Sequence, residues 1–156
     1  MAFSISRNLE LSYVYYIQQQ INASWSGVTT VKGFPRDTKA VLPVISVRLL
    51  SEVSELREIG SRLLNDEYLI AIDIFATSDG QRLDLSDSIK NLVIQDFTYY
   101  EHSRPSGGGE TIERTAGGKV VFKRINENNK VDFGETVDVY DRFRHFISVA
   151  VKVVET

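Results

Sequence analysis

Residues 68–96 constrain the fold of this chain more than any other stretch. Their first part, YLIAIDIFA, is apolar on both faces of an extended strand: Ile70, Ile72 and Ile74 line one face, and Asp73 alone interrupts the other. A strand that is apolar on both faces lies inside a sheet. After a short acidic turn, RLDLSDSIKNLVIQD carries apolar residues at helical spacing. It predicts an amphipathic helix that packs on the strand.

Length and composition limit the remaining possibilities. A chain of 156 residues can bury one core of ordinary size, so we expect a single domain over residues 1–156. A net charge of -3 gives no overall field that favours nucleic acid. The absence of cysteine excludes disulfides and thiolate chemistry. The sequence shows neither a signal peptide nor an apolar run of about 20 residues, which predicts a soluble protein made in a cytoplasm.

The first half of the chain contributes further elements. Apolar residues near helical spacing predict an N-terminal helix over residues 6–22. Pro43 introduces LPVISVRLL, whose alternation predicts a strand. For the next segment we favour a loop and then a strand over residues 57–64, turning at Asn65 and Asp66 into the central strand. A helix is the alternative for that segment, although Gly60 would weaken it.

The second half is predicted to alternate loops with strands. A flexible glycine-rich loop is expected over residues 103–118, and a polar, acidic loop over residues 126–137. KVVFKRI between them predicts a strand. A last strand should start near Val137 and bend near Arg144, with a helix over residues 138–146 as the alternative. The predicted fold is therefore α+β, a mainly antiparallel β-sheet packed with an N-terminal helix and a central amphipathic helix.

Residues with catalytic or ligand-binding potential form no recognisable motif. His102 and His145 have no histidine or cysteine at metal-ligand spacing, so we predict no metal site. The GGK sequence at 117–119 departs from the phosphate-binding loop motif. Asp141, His145 and Ser148 would meet only on a helix, and a small hydrolase that uses Asp141 and His145 is the less favoured enzymatic alternative. We expect no catalytic residues and no cofactor.

Charged residues around the two predicted loops are the candidates for contacts with other proteins. Basic residues cluster near the glycine-rich loop, where phosphates, an acidic partner or solvent alone would suit them. Acidic residues mark the second loop. The candidate protein-interaction residues are Arg104, Arg114, Lys119, Lys123, Arg124, Asp132 and Glu135.

The order of elements resembles that of a known family. An N-terminal helix, LPVISVRLL, REIGSRL, YLIAIDIFA and QRLDLSDSIKNLV follow one another as in the tail terminator proteins of long-tailed bacteriophages, also called tail completion or neck proteins. The resemblance spans about residues 5–153 and rests on element order and local texture. It implies an α+β subunit of a hexameric ring that caps the tail tube, ends its polymerisation and joins it to the head connector.

The same resemblance implies partners and a location. The partners would be further copies of the chain, the tail tube protein and a head–tail connector or neck protein. DNA would only pass through the lumen of the ring, and no membrane would be involved. The expected location is the tail or neck of the virion, after assembly in the host cytoplasm. Another neck, head-completion or minor tail component is the alternative, and on either reading the protein is not an enzyme.

Overall fold

One six-stranded sheet and two helices make up the part of the chain that the computed structural model describes, residues 3–33, 41–56, 64–104, 112–131 and 142–155. This mixed α+β architecture confirms the predicted fold class. The helices are α1 (Ile5–Ser24) and α2 (Asp79–Val93). The strands are β1 (Thr29–Lys32), β2 (Val44–Leu56), β3 (Leu64–Phe75), β4 (Phe97–Ser103), β5 (Glu113–Val131) and β6 (Arg144–Glu155).

The sheet has the strand order β1-β2-β3-β6-β5-β4. The short strand β1 runs parallel to β2, and the other four pairings are antiparallel. The central strand β3 pairs with β2 on one side and with β6 on the other. The sheet is therefore mainly antiparallel, as the sequence predicts.

The predicted strand and helix at the centre of the chain are confirmed. On β3, Ile70, Ile72 and Ile74 are fully buried in the main core. The helix α2 begins at Asp79 because Ser78 caps it, with the Ser78 hydroxyl accepting a hydrogen bond from the backbone N–H of Gln81 at 3.2 Å. Such caps satisfy N–H groups that the first helical turn leaves unpaired.

Helix α1 is also confirmed, and it begins and ends within two residues of its predicted limits. Leu9, Tyr13, Ile17 and Ile21 recur every four residues and are buried in the core. Because i, i+4 positions share one face of a helix, these side chains form the stripe that packs on the sheet. Trp25 follows α1 as a partly buried residue packed against the core.

The hairpin before α2 differs from its prediction. The loop expected after LPVISVRLL is wrong over residues 51–56, because β2 continues through them and pairs with β3. Asn65 and Asp66, predicted as turn residues, lie within β3. The strand predicted over residues 57–64 falls outside the described residues up to 63. The sequence does not reveal this part of β2 because residues 51–55 are all exposed, so buried and exposed side chains do not alternate along it.

The two predicted loops are wrong over most of their described parts, although Arg104 and Ile112 do lie outside the strands. Residues 113–118 and 126–131 belong to β5, and Ser103 ends β4, a strand that the sequence reading did not assign. Positions 105–111 and 132–137 lie outside the described residues. Gly118 sits where β5 passes between its two neighbours, and a Cβ there would lie 2.0 Å from the carbonyl oxygen of Val154. This glycine permits close strand packing rather than ending the strand.

The last strand is confirmed from Arg144 onward, which excludes the helical alternative for residues 144–146. Arg142 and Phe143 form a turn directly before it, close to the predicted bend. The strand start near Val137 falls outside the described residues. The irregularities in strand pairing lie instead in the partner β5, between Phe122 and Arg124 and again between Ile125 and Glu127.

Candidate functional site

Helix α1 covers the outer edge of β4. The Ser12 hydroxyl accepts a hydrogen bond from the backbone N–H of Tyr100 at 2.9 Å and lies 3.2 Å from its carbonyl oxygen. The Asn8 side-chain oxygen accepts from the backbone N–H of His102 at 3.0 Å, and the N–H of Phe3 donates to the His102 carbonyl at 3.1 Å. Side chains and a terminal segment thus satisfy edge groups that would otherwise bind another strand.

Two long stretches of sheet edge have no outer strand partner among the described residues. Strand β1 pairs with β2 only up to Val47, so residues 48–56 of β2 have no outer strand partner among the described residues. Strand β4 pairs with β5 only up to Val120, so residues 121–131 of β5 also have no outer strand partner among the described residues. Single side chains cap the start of each stretch: Glu10 accepts from the N–H of Leu49, and Asp96 accepts from the N–H of Phe122.

The two open edges differ in charge, and the β2 stretch also has exposed apolar side chains. The β2 stretch carries Glu52 and Glu55 against the single basic residue Arg48. The β5 stretch carries three basic residues and only Glu127 as an acid; its basic residues are Lys123, Arg124 and Lys130. On β2, Leu50 and Val53 are 42% and 53% exposed. An acidic edge with exposed aliphatic side chains therefore lies opposite, across the sheet, to a basic edge.

The predicted basic residues do not form one cluster. Four of them lie along β5, where Arg114 and Arg124 are separated by roughly 30 Å of extended strand. Arg114 stacks on the ring of Tyr15 at 3.7 Å, and Arg124 forms an ion pair with Glu67 at 2.6 Å. Lys119 and Lys123 are exposed on β5, and Arg104 is exposed just after β4. Only Lys123 and Arg124 belong to an open edge.

Three acidic candidates lie outside the described residues. They are Asp132 and Glu135 of the predicted acidic loop, and Asp141 of the enzymatic alternative. The structure therefore assigns them no contacts.

The remaining members of the enzymatic alternative lie on opposite faces of the sheet. His145 contacts Arg82 of α2 and so faces the helices. Ser148 is three residues further along β6, and side chains alternate between the faces of a strand. The hydroxyl of Ser148 therefore points away from His145. This separation removes the nucleophile–base contact that such a hydrolase would need.

Asp73, the charge that interrupts the central strand, is fully buried between two arginines on the sheet face opposite the helices. Arg144 binds one carboxylate oxygen through Nε at 3.0 Å and Nη2 at 2.8 Å. Arg48 lies 3.5 Å from the other oxygen. The contacts bridge β2, β3 and β6, and a buried carboxylate so paired is a structural feature of the sheet.

An open groove of about 260 Å³ runs between α1 and β4. Its walls are aromatic and amide side chains, among them Tyr15, Tyr16, Gln19, Phe97 and Tyr100. Tyr16 stacks on Phe97 with the ring centroids 4.1 Å apart. This lining offers packing surface and no acid–base pair.

No protein-family model matches the chain, and no curated protein matches its sequence. Within the described ranges, no three acidic, histidine or cysteine side chains are grouped so that they could hold a metal ion. Neither of the two described helices is long and apolar enough to cross a membrane. The open sheet edges are therefore the most distinctive surface for a functional assignment.

Proposed function

We propose that this chain is a structural subunit that assembles edge to edge into a ring, and that the ring is a tail terminator of a long-tailed bacteriophage. The observation that carries the proposal is the pair of open edges on β2 and β5. One lies toward the β1 side of the sheet and the other toward the β4 side. Pairing two unlike edges is a head-to-tail contact, which closes into a ring when the rotation between subunits permits.

Charge supports the pairing of unlike edges. The β2 stretch is acidic in balance and the β5 stretch is basic, so β2 of one copy attracts β5 of the next. Two β2 edges brought together would place Glu52 and Glu55 of one copy near the same acidic residues of the other copy, and these would repel each other. Each chain carries one stretch of each kind, so in a closed ring both stretches would gain a strand partner.

The expected action of the ring is mechanical. One face would fit the last ring of the tail tube and stop its growth, and the other would receive the head connector or neck protein. The proposed contact surfaces include Arg104 after β4 and Arg114 near the start of β5, together with the acidic residues Asp132 and Glu135. DNA would pass through the lumen without sequence recognition. No chemical step is required, so we propose that the protein is not an enzyme.

Electron microscopy of the purified protein tests ring formation. We expect closed rings with a lumen wide enough for a DNA duplex, and native mass spectrometry should give the hexamer. Addition of these rings to growing tail tubes should stop elongation. Monomer alone at high protein concentration would contradict the ring.

A pair of matched variants tests the open edge of β2. Val53→Lys places a positive charge on that acidic edge, where it would repel the basic β5 edge, and should abolish rings, while the free energy of unfolding of the subunit changes by no more than about 1 kcal/mol. Val41→Lys is the control, because Val41 is 83% exposed and lies before β2. Rings that survive Val53→Lys would exclude this edge from the contact.

Another neck, head-completion or minor tail component is the alternative, since open sheet edges serve any of these assemblies. Chemical cross-linking in assembled particles separates them. A terminator cross-links to both the tube and the connector, whereas a head-completion protein cross-links to the connector alone.

A further inference from the structure

His145 joins three elements beneath the first turns of α2. Its Nδ1 lies 2.7 Å from Nη1 of Arg82 on α2, and its Nε2 lies 2.5 Å from the side-chain oxygen of Asn128 on β5. Both His145 and Arg82 are more than 90% buried. The imidazole is therefore the link between the helix and the end of the longest strand.

These contacts determine the protonation state of the imidazole. A guanidinium has only hydrogen-bond donors, so Arg82 donates and Nδ1 of His145 accepts. The ring proton is then on Nε2, which donates to the oxygen of Asn128. The geometry requires neutral His145 with its proton on Nε2.

The charges around His145 favour this neutral form. Burial and the neighbouring guanidinium of Arg82 lower the pKa of His145, and the carboxylate of Asp87 acts in the opposite direction. Asp79 binds Nε of Arg82 at 3.0 Å and lies 4.0 Å from Nζ of Lys130. Asp79 is half exposed and Asp87 is exposed, so solvent screens both, whereas Arg82 touches the ring directly. On β3, the residue paired with His145 is Ile74, which carries no charge.

We infer that His145 is a proton-controlled switch that fastens the first turns of α2 to the sheet at neutral pH and releases them on acidification. A proton on Nδ1 would replace the acceptor for Arg82 with a second cation. Arg82 would lose this hydrogen bond, and of its side-chain bonds to described residues the contact with Asp79 would remain. The switch belongs to the single chain and does not depend on the proposed function.

The second histidine provides an internal comparison. Nε2 of His102 accepts a longer hydrogen bond, 3.4 Å, from Nε of Arg114, and its Nδ1 lies 3.3 Å from the side-chain oxygen of Asn8. His102 therefore carries its proton on Nδ1, the opposite tautomer to His145. Burial and Arg114 lower the pKa of His102. Because Arg114 is exposed, this arginine has water to bind when His102 is protonated, and a smaller effect is expected.

Unfolding with urea as a function of pH tests the switch. Because the pKa of His145 is lower in the folded chain, the unfolded chain takes up the proton first, at about pH 6.5. Stability is present above that pH and is lost as the pH falls below it. The folding equilibrium constant should fall by up to about tenfold per pH unit for this histidine. His145→Gln, whose amide can both accept and donate, should remove that part of the fall, and His102→Gln should leave it.

Nuclear magnetic resonance of the unmodified protein gives an independent test, should the glutamine variant fail to fold. Long-range ¹H–¹⁵N spectra at pH 7.5 should show His145 with its proton on Nε2 and His102 with its proton on Nδ1. The His145 signal should stay neutral to a lower pH than an exposed histidine. A charged His145 at pH 7, the other tautomer, or an unchanged pH dependence in a folded His145→Gln variant would each overturn the switch.

Discussion

The outer edges of β4 and β2 both border the same sheet, but their backbone groups have different partners. Along β4, Ser12 and Asn8 of α1 take up backbone groups of Tyr100 and His102. Along β2 beyond Val47, the described contact of this kind is the one from Glu10 to Leu49. An edge can therefore be closed by side chains from a helix as well as by another strand. The edge without a strand partner among the described residues is the one that we propose for assembly.

Weakening the packing of α1, the helix that covers β4, should have the largest effect on stability. Leu9→Ala deletes a fully buried side chain of α1 and should lower the free energy of unfolding by about 2–5 kcal/mol. The loss combines missing apolar burial with the cavity left beneath the helix. Urea unfolding measures it.

The control for this change lies on the same helix. Ile5 is 41% exposed, and Ile5→Ala should change the free energy of unfolding by no more than about 0.5 kcal/mol. Equal losses in the two variants would mean that α1 is not anchored through Leu9. Aggregation of Leu9→Ala, measured by light scattering, would sharpen the comparison by showing that uncovered β4 associates.

A smaller change tests the cover at a single contact. Ser12→Ala removes the hydroxyl that accepts from the backbone N–H of Tyr100 and donates to the Asn8 carbonyl at 2.7 Å, and it should cost about 1–3 kcal/mol, since the N–H of Tyr100 is left without this partner. Ser24→Ala, at the exposed end of α1, is the control. An unchanged urea midpoint for Ser12→Ala would show that water replaces the hydroxyl at no cost.

Hydrogen exchange should detect the smallest difference, without any mutation. In the monomer, the amides of Tyr100 and His102 should exchange slowly although β4 lies at the rim. Outward-facing amides of β2 beyond Leu49, and of β5 beyond Phe122, should exchange fast. These fast amides should become protected in the assembled ring. Equal rates along both rims of the monomer would remove the distinction between them.

The sequence predicts well those elements whose side chains face a core. The isoleucines of β3 and the stripe from Leu9 to Ile21 of α1 show their periods directly, because burial selects apolar residues at every second or fourth position. The far ends of β2 and β5 have exposed side chains, and their strand structure comes from backbone pairing with β3 and β6. Backbone pairing leaves no trace in hydrophobic periodicity, so these ends were predicted as loops.

The positions of the candidate functional residues were harder to predict from the sequence, for a related reason. Basic residues could be counted from the sequence, but their spread along β5 depends on how far that strand extends on both sides of the predicted residues 119–125. The contact of His145 with Arg82 joins positions 63 residues apart. No local pattern encodes it. A signal did exist for Asp73, because a lone charge in an apolar strand implies a buried basic partner, and Arg144 and Arg48 supply it.

Asp73 also fixes how the central strand is aligned with its neighbours. It lies opposite Ser46 of β2 and Phe146 of β6. Sliding β3 by one residue would turn its carboxylate toward the isoleucine-rich face under the helices, and would leave Arg48 and Arg144 without it. A buried charge stranded in this way costs several kcal/mol. One aspartate thus favours the native alignment of the strand over the shifted ones. Repeated isoleucines alone would distinguish these alignments poorly.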